Sequence, residues 1–106
     1  MDMILVYITA ASPEEARGIG RTLVEERLAA CVNVIGGMTS IYRWDGAIEE
    51  GTETILIAKT RKELFNELAN RVKAQHSYTT PCIAEIPLGR IDRPYLDWLI
   101  AATGPA

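Results

Sequence analysis

An α+β fold is the architecture that the sequence predicts, and three observations support it. Strand-like runs rich in β-branched residues alternate with segments whose apolar residues recur at helical spacing. The segments follow the order strand, helix, strand, strand, helix, strand, and a short helix ends the chain. The two middle strands, joined at Asp45-Gly46, are far longer than the others. This order is that of the ferredoxin-like split βαβ arrangement, an antiparallel sheet with helices on one face.

Length and composition predict one soluble domain that spans residues 1–106. The chain is 48% hydrophobic and 24% charged, which is close to the globular average. The net charge is −3 and the basic residues are scattered, which argues against a nucleic-acid partner. No apolar run approaches the ~20 residues of a membrane span, and the N-terminus lacks the basic region of a signal peptide. Cys31 and Cys82 lie far apart in apolar runs, which predicts buried free thiols and a cytoplasmic location.

The first strand and the first helix have clear local signals. Residues Met3–Ala10 are almost uninterruptedly apolar, as in a central strand that is covered on both faces. Ser12 then has the position of an N-cap, Pro13 the first helical position, and Glu15 follows three residues after the cap. We expect a helix over 13–28.

Later elements are predicted in the same way. Asp45-Gly46 is a strong signal for a two-residue hairpin turn, and Gly36-Gly37 indicates a bulge within the first arm. The remaining predictions are a hairpin over 31–60, a helix over 61–75, a short strand over 82–88 and a last helix that begins near Asp92.

The hairpin is predicted to be too long for its own domain. Each arm has about fourteen residues, or about 45 Å of strand, whereas a compact domain of this length is about 33 Å across. The overhang carries four large apolar residues, Ile41, Tyr42, Trp44 and Ile48. Burying an aromatic such as Trp44 stabilises by about 2–3 kcal/mol. We therefore expect a homo-oligomer that buries these residues, the alternative being a hairpin that curls back onto its own domain.

The hairpin also carries a family resemblance. The segment "TSIYRWDGAIEE" resembles the hairpin motif of CutA, the divalent-cation-tolerance family. "KAQHSYTTP" is similar to the Lys-x-x-His-x-Tyr-x-x-Pro signature of that family, and "YLDWL" resembles its C-terminal helix. The resemblance implies a homotrimer with a PII-like architecture, a link to tolerance of divalent metals, above all copper, and no settled enzymatic activity.

His76 is the candidate metal ligand, and it is the only histidine of the chain. A copper site usually needs two to four imidazole or thiolate ligands together. Some relatives have a cysteine where this chain has Thr9 and a second histidine where it has Gln75. This departure argues against a preformed site in one subunit. The alternative role for His76 is structural, at the joint between the second helix and the last strand.

Three functions follow as hypotheses. The first is a non-enzymatic trimeric metal-tolerance protein that requires no cofactor and binds Cu(II) or another divalent cation weakly at or near His76, with Cys31, Met38 or Glu53 of a neighbouring chain as the candidate further ligands. The second is a PII-like module that binds a small anionic metabolite between subunits, with Lys59, Tyr78 and Glu53 in the cleft and Trp44 beside them. The third, a small hydrolase of the acylphosphatase shape, is disfavoured because the segment after the first strand is acidic where an anion cradle should be basic.

Overall fold

The predicted fold class is confirmed by the computed structural model, which describes residues 2–105. Met1 and Ala106, the ends of the predicted domain, lie outside the described residues. The sheet has four antiparallel strands in the order β2-β3-β1-β4. The elements are β1 Met3–Ala10, α1 Pro13–Glu25, β2 Cys31–Trp44, β3 Ala47–Arg61, α2 Phe65–Gln75, β4 Ile83–Pro87 and α3 Arg93–Ala102, with a 3₁₀ turn over Lys62–Leu64 before α2.

The first helix begins as predicted but ends three residues earlier. Ser12 accepts a hydrogen bond from the Glu15 N–H at 3.1 Å and Pro13 is the first helical residue. Arg27 has a φ of 59°, and the Leu28 N–H returns to the Leu23 carbonyl at 2.9 Å. This is a Schellman ending in which arginine occupies the position that glycine usually takes.

The core lies between the sheet and the helices α1 and α2. Alternate side chains of β1 and β3, among them Val6, Ile8 and Leu56, are fully buried against this helical layer. Gly20 allows α1 to approach the sheet closely, since a Cβ there would lie 2.8 Å from Val32 Cγ2. The third helix packs elsewhere, with Leu99 in a separate cluster with Met3.

The hairpin has the predicted register. Asp45 and Gly46 have φ values of 51° and 80°, the positive pair of a type I′ turn. Trp44 is opposite Ala47, and pairing continues without a break to Met38 opposite Glu53. The register shifts between Ile35 and Met38, at the predicted glycine bulge. The molecule measures 45 × 26 × 22 Å, so the hairpin extends well beyond the globular part.

The sheet face opposite α1 and α2 has an apolar centre. Because side chains alternate along a strand, the residues between the buried ones project to this second face. Tyr7 is opposite Ile57, and Leu5 is opposite Ile86. Ile86 is exposed and the others are half-buried. We call this surface the open face and define it by Leu5, Tyr7, Ile55, Ile57 and Ile86.

Candidate functional site

His76 connects the end of α2 to the first strand. It is the C-cap residue of α2, and its Nε2 lies 2.7 Å from the Thr9 carbonyl oxygen. Its Nδ1 accepts a hydrogen bond from the Tyr78 N–H at 3.0 Å. The tautomer that satisfies both contacts carries its proton on Nε2. His76 thus lies at the end of α2, where the structural alternative placed it, but the carbonyl that it binds belongs to β1.

These contacts bear on the fit of a metal ion. A metal at Nδ1 would have to displace the Tyr78 N–H, and one at Nε2 would have to displace the Thr9 carbonyl. Within residues 2–105 no three His, Cys, Asp or Glu side chains converge as a metal-binding group. A single chain therefore does not offer the ligand set that Cu(II) prefers. The assignment of His76 as a ligand stays a prediction.

Tyr78 and Glu53, predicted as cleft residues, are in direct contact. The Tyr78 hydroxyl donates to Glu53 Oε2 at 2.7 Å. Burial is the largest cause and this hydrogen bond to a carboxylate is the second, and they raise the pKa of Tyr78 to about 12. The Tyr78 ring also packs on the His76 ring, with centroids 4.7 Å apart. Tyr78 is thus held as a hydrogen-bond donor at neutral pH.

A cleft surrounds this contact. It lies between the outer half of the hairpin and the loop over 76–82, with a volume of about 500 Å³. We call it the Glu53 cleft, and it is lined by Thr9, Tyr42, Trp44, Glu53, Ser77, Tyr78, Thr79, Thr80 and Cys82. Glu53 is the only charged side chain among these lining residues.

Glu15 holds the loop of the Glu53 cleft in place. Its Oε2 accepts from the Ser77 N–H at 2.8 Å, and its Oε1 accepts from the Ala11 N–H at 3.0 Å. Burial acts to raise the pKa of Glu15, but these hydrogen bonds outweigh it, so the pKa is lowered. The sequence indicated only the helix-capping role, because nothing local signals a contact with a residue 62 positions away.

Lys59, the third predicted cleft residue, lies elsewhere in the chain. It is six residues from Glu53 on β3, or about 20 Å along the strand. Its Nζ donates to the Tyr95 hydroxyl at 3.3 Å, and this bond is the main factor that raises the pKa of Lys59. Cys31 Sγ lies 3.7 Å from the same hydroxyl. Within one chain Lys59 and Cys31 therefore form a group with Tyr95 of α3, and Lys59 does not line the Glu53 cleft.

The cysteines are both free, as predicted, but not buried. Cys31 is half-buried beside Tyr95, and Cys82 is exposed at the rim of the Glu53 cleft. Cys82 precedes β4, which begins only at Ile83, so it lacks the cover of a strand within the sheet.

The four residues predicted for the trimer interface are exposed in the single chain. The exposed fractions are 67% for Ile41, 47% for Tyr42, 65% for Trp44 and 62% for Ile48. Tyr42 and Trp44 line the Glu53 cleft, whereas Ile48 is opposite Arg43 and thus projects, like Ile41, to the other face of the hairpin. The hairpin tip, defined by these four residues, therefore exposes apolar side chains on both faces.

The fold and motifs match those of known proteins. The family described as CutA1 divalent ion tolerance protein matches residues 4–102. This chain belongs to the CutA1 family. It is 52% identical over 100 residues to the divalent-cation tolerance protein CutA of Thermus thermophilus, covering 94% of this chain and 97% of that protein.

Solved CutA structures have the same fold. The Thermus thermophilus structure superposes with a TM-score of 0.93 at 51% identity, covering 96% of this chain and 99% of the other. The Archaeoglobus fulgidus structure, described as a periplasmic divalent cation tolerance protein, superposes with a TM-score of 0.94 at 47% identity over 96% of this chain and 99% of its own. Across residues 2–105, no helix of this CutA1-family chain is long and apolar enough to cross a membrane.

Proposed function

We propose that this chain is a homotrimeric protein of divalent-cation tolerance that binds its cation weakly and catalyses no reaction. Membership of the CutA1 family supports the link to cation tolerance. The observation that supports assembly is the hairpin tip, which exposes apolar side chains on both faces at the end of a 45 Å molecule.

Assembly follows from the two apolar surfaces of the chain. The hairpin tip extends beyond its own globular part and its four apolar residues stay exposed in one chain, so their full burial requires another chain. Exposed patches of this kind mark protein interfaces, and the open face adds a second surface of the same character. The number three is supported by the family resemblance, because complementary surfaces alone do not fix the symmetry of a ring.

Weak cation binding follows from the ligand count. A site built on His76 needs ligands from more than one chain, since residues 2–105 of a single chain hold no group of three metal-binding side chains. The ion must also compete with the two backbone hydrogen bonds of the His76 ring. Cu(II) remains the proposed ion because imidazole is a ligand that it favours.

We propose that the chain catalyses no reaction because the ring nitrogens of His76 are already engaged in hydrogen bonds. Cys82 lines the Glu53 cleft and is the nearest candidate nucleophile. A thiol needs an adjacent base to be activated, and the only imidazole of the chain has both nitrogens in backbone hydrogen bonds. We propose a cytoplasmic location on the two free thiols, and no nucleic-acid partner on the net charge of −3.

The alternative of an anionic metabolite stays a prediction. Lys59, its proposed cation, is about 20 Å from Glu53 along β3, so any shared site would require Lys59 from a neighbouring chain. No observation in the single chain favours this function over cation tolerance.

Cation binding is tested by titrating Cu(II) into the assembled protein and into a His76→Ala variant by calorimetry. We expect weak binding by the natural chain and at least tenfold weaker binding by His76→Ala (about 1.4 kcal/mol). Cys82→Ser is the matched control, since it alters an exposed soft ligand nearby and leaves the His76 contacts intact. Equal affinities for the natural chain and His76→Ala would remove His76 from the proposal.

Tolerance itself is tested by growth. Expression of the natural chain in a copper-sensitive bacterial strain should raise the Cu(II) concentration that stops growth. Melting temperatures of each variant show whether loss of binding reflects unfolding. Unchanged growth at every Cu(II) concentration would contradict the tolerance function.

A further inference from the structure

Helix α3 is held to the rest of the chain by a small set of contacts of its own. Its buried residue, Leu99, packs with Met3 and Ala30 in a cluster that is separate from the main core. Tyr95 and Trp98 on the same helix are exposed. The helix has ten residues, and a helix of this length is not stable in water without tertiary contacts. Whether α3 is formed and docked therefore depends on few interactions.

Arg61 makes the strongest polar contact with α3. Its Nη2 donates to the Ile100 carbonyl at 2.8 Å, and its Nε donates to Thr103 Oγ1 at 2.8 Å. The last carbonyls of a helix lack partners within the helix and form the negative end of its dipole, so a guanidinium is well placed there. Arg61 is the last residue of β3, an interior strand of the sheet. It thus joins the end of α3 to the sheet.

Arg27 lies at the same end of α3 but binds it weakly. Its Nη1 is 3.4–3.5 Å from the carbonyl oxygens of Ala101, Ala102 and Gly104, and these contacts are exposed. Such distances exceed those of good N–H···O hydrogen bonds. The two arginines have the same charge and contact the same helix end, so they differ mainly in the quality of their hydrogen bonds.

The other end of α3 covers a thiol and an amine. The Tyr95 hydroxyl accepts from Lys59 Nζ at 3.3 Å and lies 3.7 Å from Cys31 Sγ. The N-cap residue Asp92 makes no capping hydrogen bond through its side chain within residues 2–105. Cys31 is half-buried while α3 is docked, and it would lose its contact with Tyr95 if α3 moved away.

We propose that α3 is a latch that undocks as one unit while the sheet stays folded, that Arg61 determines how often it undocks, and that undocking exposes the Cys31 thiol. Segments with few buried apolar contacts open at a lower free energy than the whole domain. The main core of the described chain includes no residue of α3, so undocking leaves that core intact. The inference goes beyond the proposed cation function and uses neither His76 nor the hairpin tip.

The test is amide hydrogen exchange of the full-length assembled protein, followed by NMR at urea concentrations below the unfolding transition. We expect the amides of α3 to exchange about a hundredfold faster than those of β1, the strand at the centre of the main core. Exchange in α3 should depend little on urea, because undocking exposes little surface, whereas exchange in β1 should rise steeply.

Two arginine variants assign the latch to Arg61. Arg61→Ala should speed exchange in α3 about tenfold, equivalent to about 1.4 kcal/mol, and leave β1 unchanged. Arg27→Ala is the matched control, and its effect on α3 should stay below about threefold because its contacts are long. Thr103→Val keeps the side-chain shape and removes one acceptor of Arg61, so it should have an intermediate effect.

Exposure of the thiol is measured by the rate at which a maleimide modifies Cys31. A Cys82→Ser background removes the other thiol, which is exposed. The modification rate should rise by the same factor as α3 exchange when Arg61→Ala is introduced. An unchanged rate would mean that α3 does not control access to Cys31.

Three further outcomes would overturn the proposal. Exchange in α3 as slow as in β1 would exclude a latch, and a sister chain that covers α3 in the assembled protein would give this result. Equal acceleration of α3 and β1 by Arg61→Ala would mean that Arg61 stabilises the whole domain. Equal effects of Arg61→Ala and Arg27→Ala would remove the special role of Arg61. Failure here leaves the Cu(II) titration unaffected, since that experiment reports on His76.

Discussion

Glu15 shows how one side chain can support the candidate site from a distance. It joins the start of α1 to the Ser77 N–H in the loop that carries His76 and Tyr78. Its pKa is lowered because these hydrogen bonds favour the charged form more than burial opposes it. The folded-state pKa therefore lies below the unfolded value of about 4.3. The stabilisation is present above this pH and is lost as the pH falls through the folded-state pKa.

Replacing Glu15 by glutamine should show how the charge of Glu15 contributes to stability and to its dependence on pH. We expect Glu15→Gln to lower the free energy of unfolding by about 1–2 kcal/mol at pH 7, because hydrogen bonds to a charged acceptor are replaced by weaker ones. Urea denaturation between pH 7 and 3 should then show a flatter acid dependence than that of the natural chain. Glu14→Gln, an exposed change in the same helical turn, is the control. Equal pH profiles for Glu15→Gln and the natural chain would contradict the linkage.

The site residues mark what the sequence could and could not predict at this scale. Glu53 and Tyr78 were expected in one cleft, and they form a 2.7 Å hydrogen bond. Lys59 is an even number of residues from Glu53 on β3, so the sequence predicts that both side chains project from the same face of the sheet. Its partner Tyr95 belongs to α3, and no local sequence pattern predicts where that helix packs. Contacts between distant segments, such as Glu15 with Ser77, depend on packing that a single sequence does not encode as a motif.

The elements that were predicted best are those with strong local chemistry. A two-residue turn fixes the register of a hairpin, so Asp45-Gly46 determined every pair out to the bulge at Gly36-Gly37. The element ends were predicted less well. Helix α1 stops before Leu28 because Arg27 adopts a left-handed conformation without glycine. Arg61 continues β3 opposite Met3, where the sequence placed it in the next helix.

Helix α1 offers a matched pair of glycines for testing how closely it packs on the sheet. A Cβ at Gly20 would lie 2.8 Å from Val32 Cγ2 and 3.2 Å from Leu56 Cδ1, whereas a Cβ at Gly18 meets nothing within 4 Å. Replacing glycine by alanine makes the helical conformation more favourable by about 1 kcal/mol at either position. We therefore expect Gly18→Ala to stabilise the protein by about 1 kcal/mol.

Gly20→Ala should be less stable than Gly18→Ala by about 1–3 kcal/mol, the usual cost of overpacking a core. Thermal and urea denaturation of the two variants under identical conditions provide the measurement. Equal stabilisation by both changes would mean that α1 can move off the sheet without cost.

At the scale of the whole molecule, shape and surface determine the argument for assembly. A chain of this length would be about 33 Å across if compact, yet the molecule measures 45 Å in its longest dimension. The excess is the hairpin, and its tip exposes apolar side chains on both faces. The sequence predicted this overhang from strand length alone. It could not predict the number of subunits, because symmetry depends on the angle between two surfaces of different chains.

The assembly is tested by placing a charge where only a partner would bury it. Ile48 is exposed at the hairpin tip in the single chain, so Ile48→Glu should leave the fold of one chain intact. In a trimer that buries the tip, the change loses about 1.5–3 kcal/mol of apolar burial per copy and adds the cost of a buried carboxylate. Analytical ultracentrifugation at micromolar concentration should give the natural chain three times its 11.7 kDa mass, and Ile48→Glu a smaller species.

Val24→Glu is the matched control, because Val24 is also an exposed apolar residue but lies on α1, on the helical side of the sheet. It should retain the mass of the natural chain. A natural chain that sediments as a single 11.7 kDa species, or an Ile48→Glu variant with unchanged association, would mean that the hairpin tip stays in water. Its apolar composition would then have to be explained by a different partner, and the case for subunit-shared metal ligands around His76 would be lost with it.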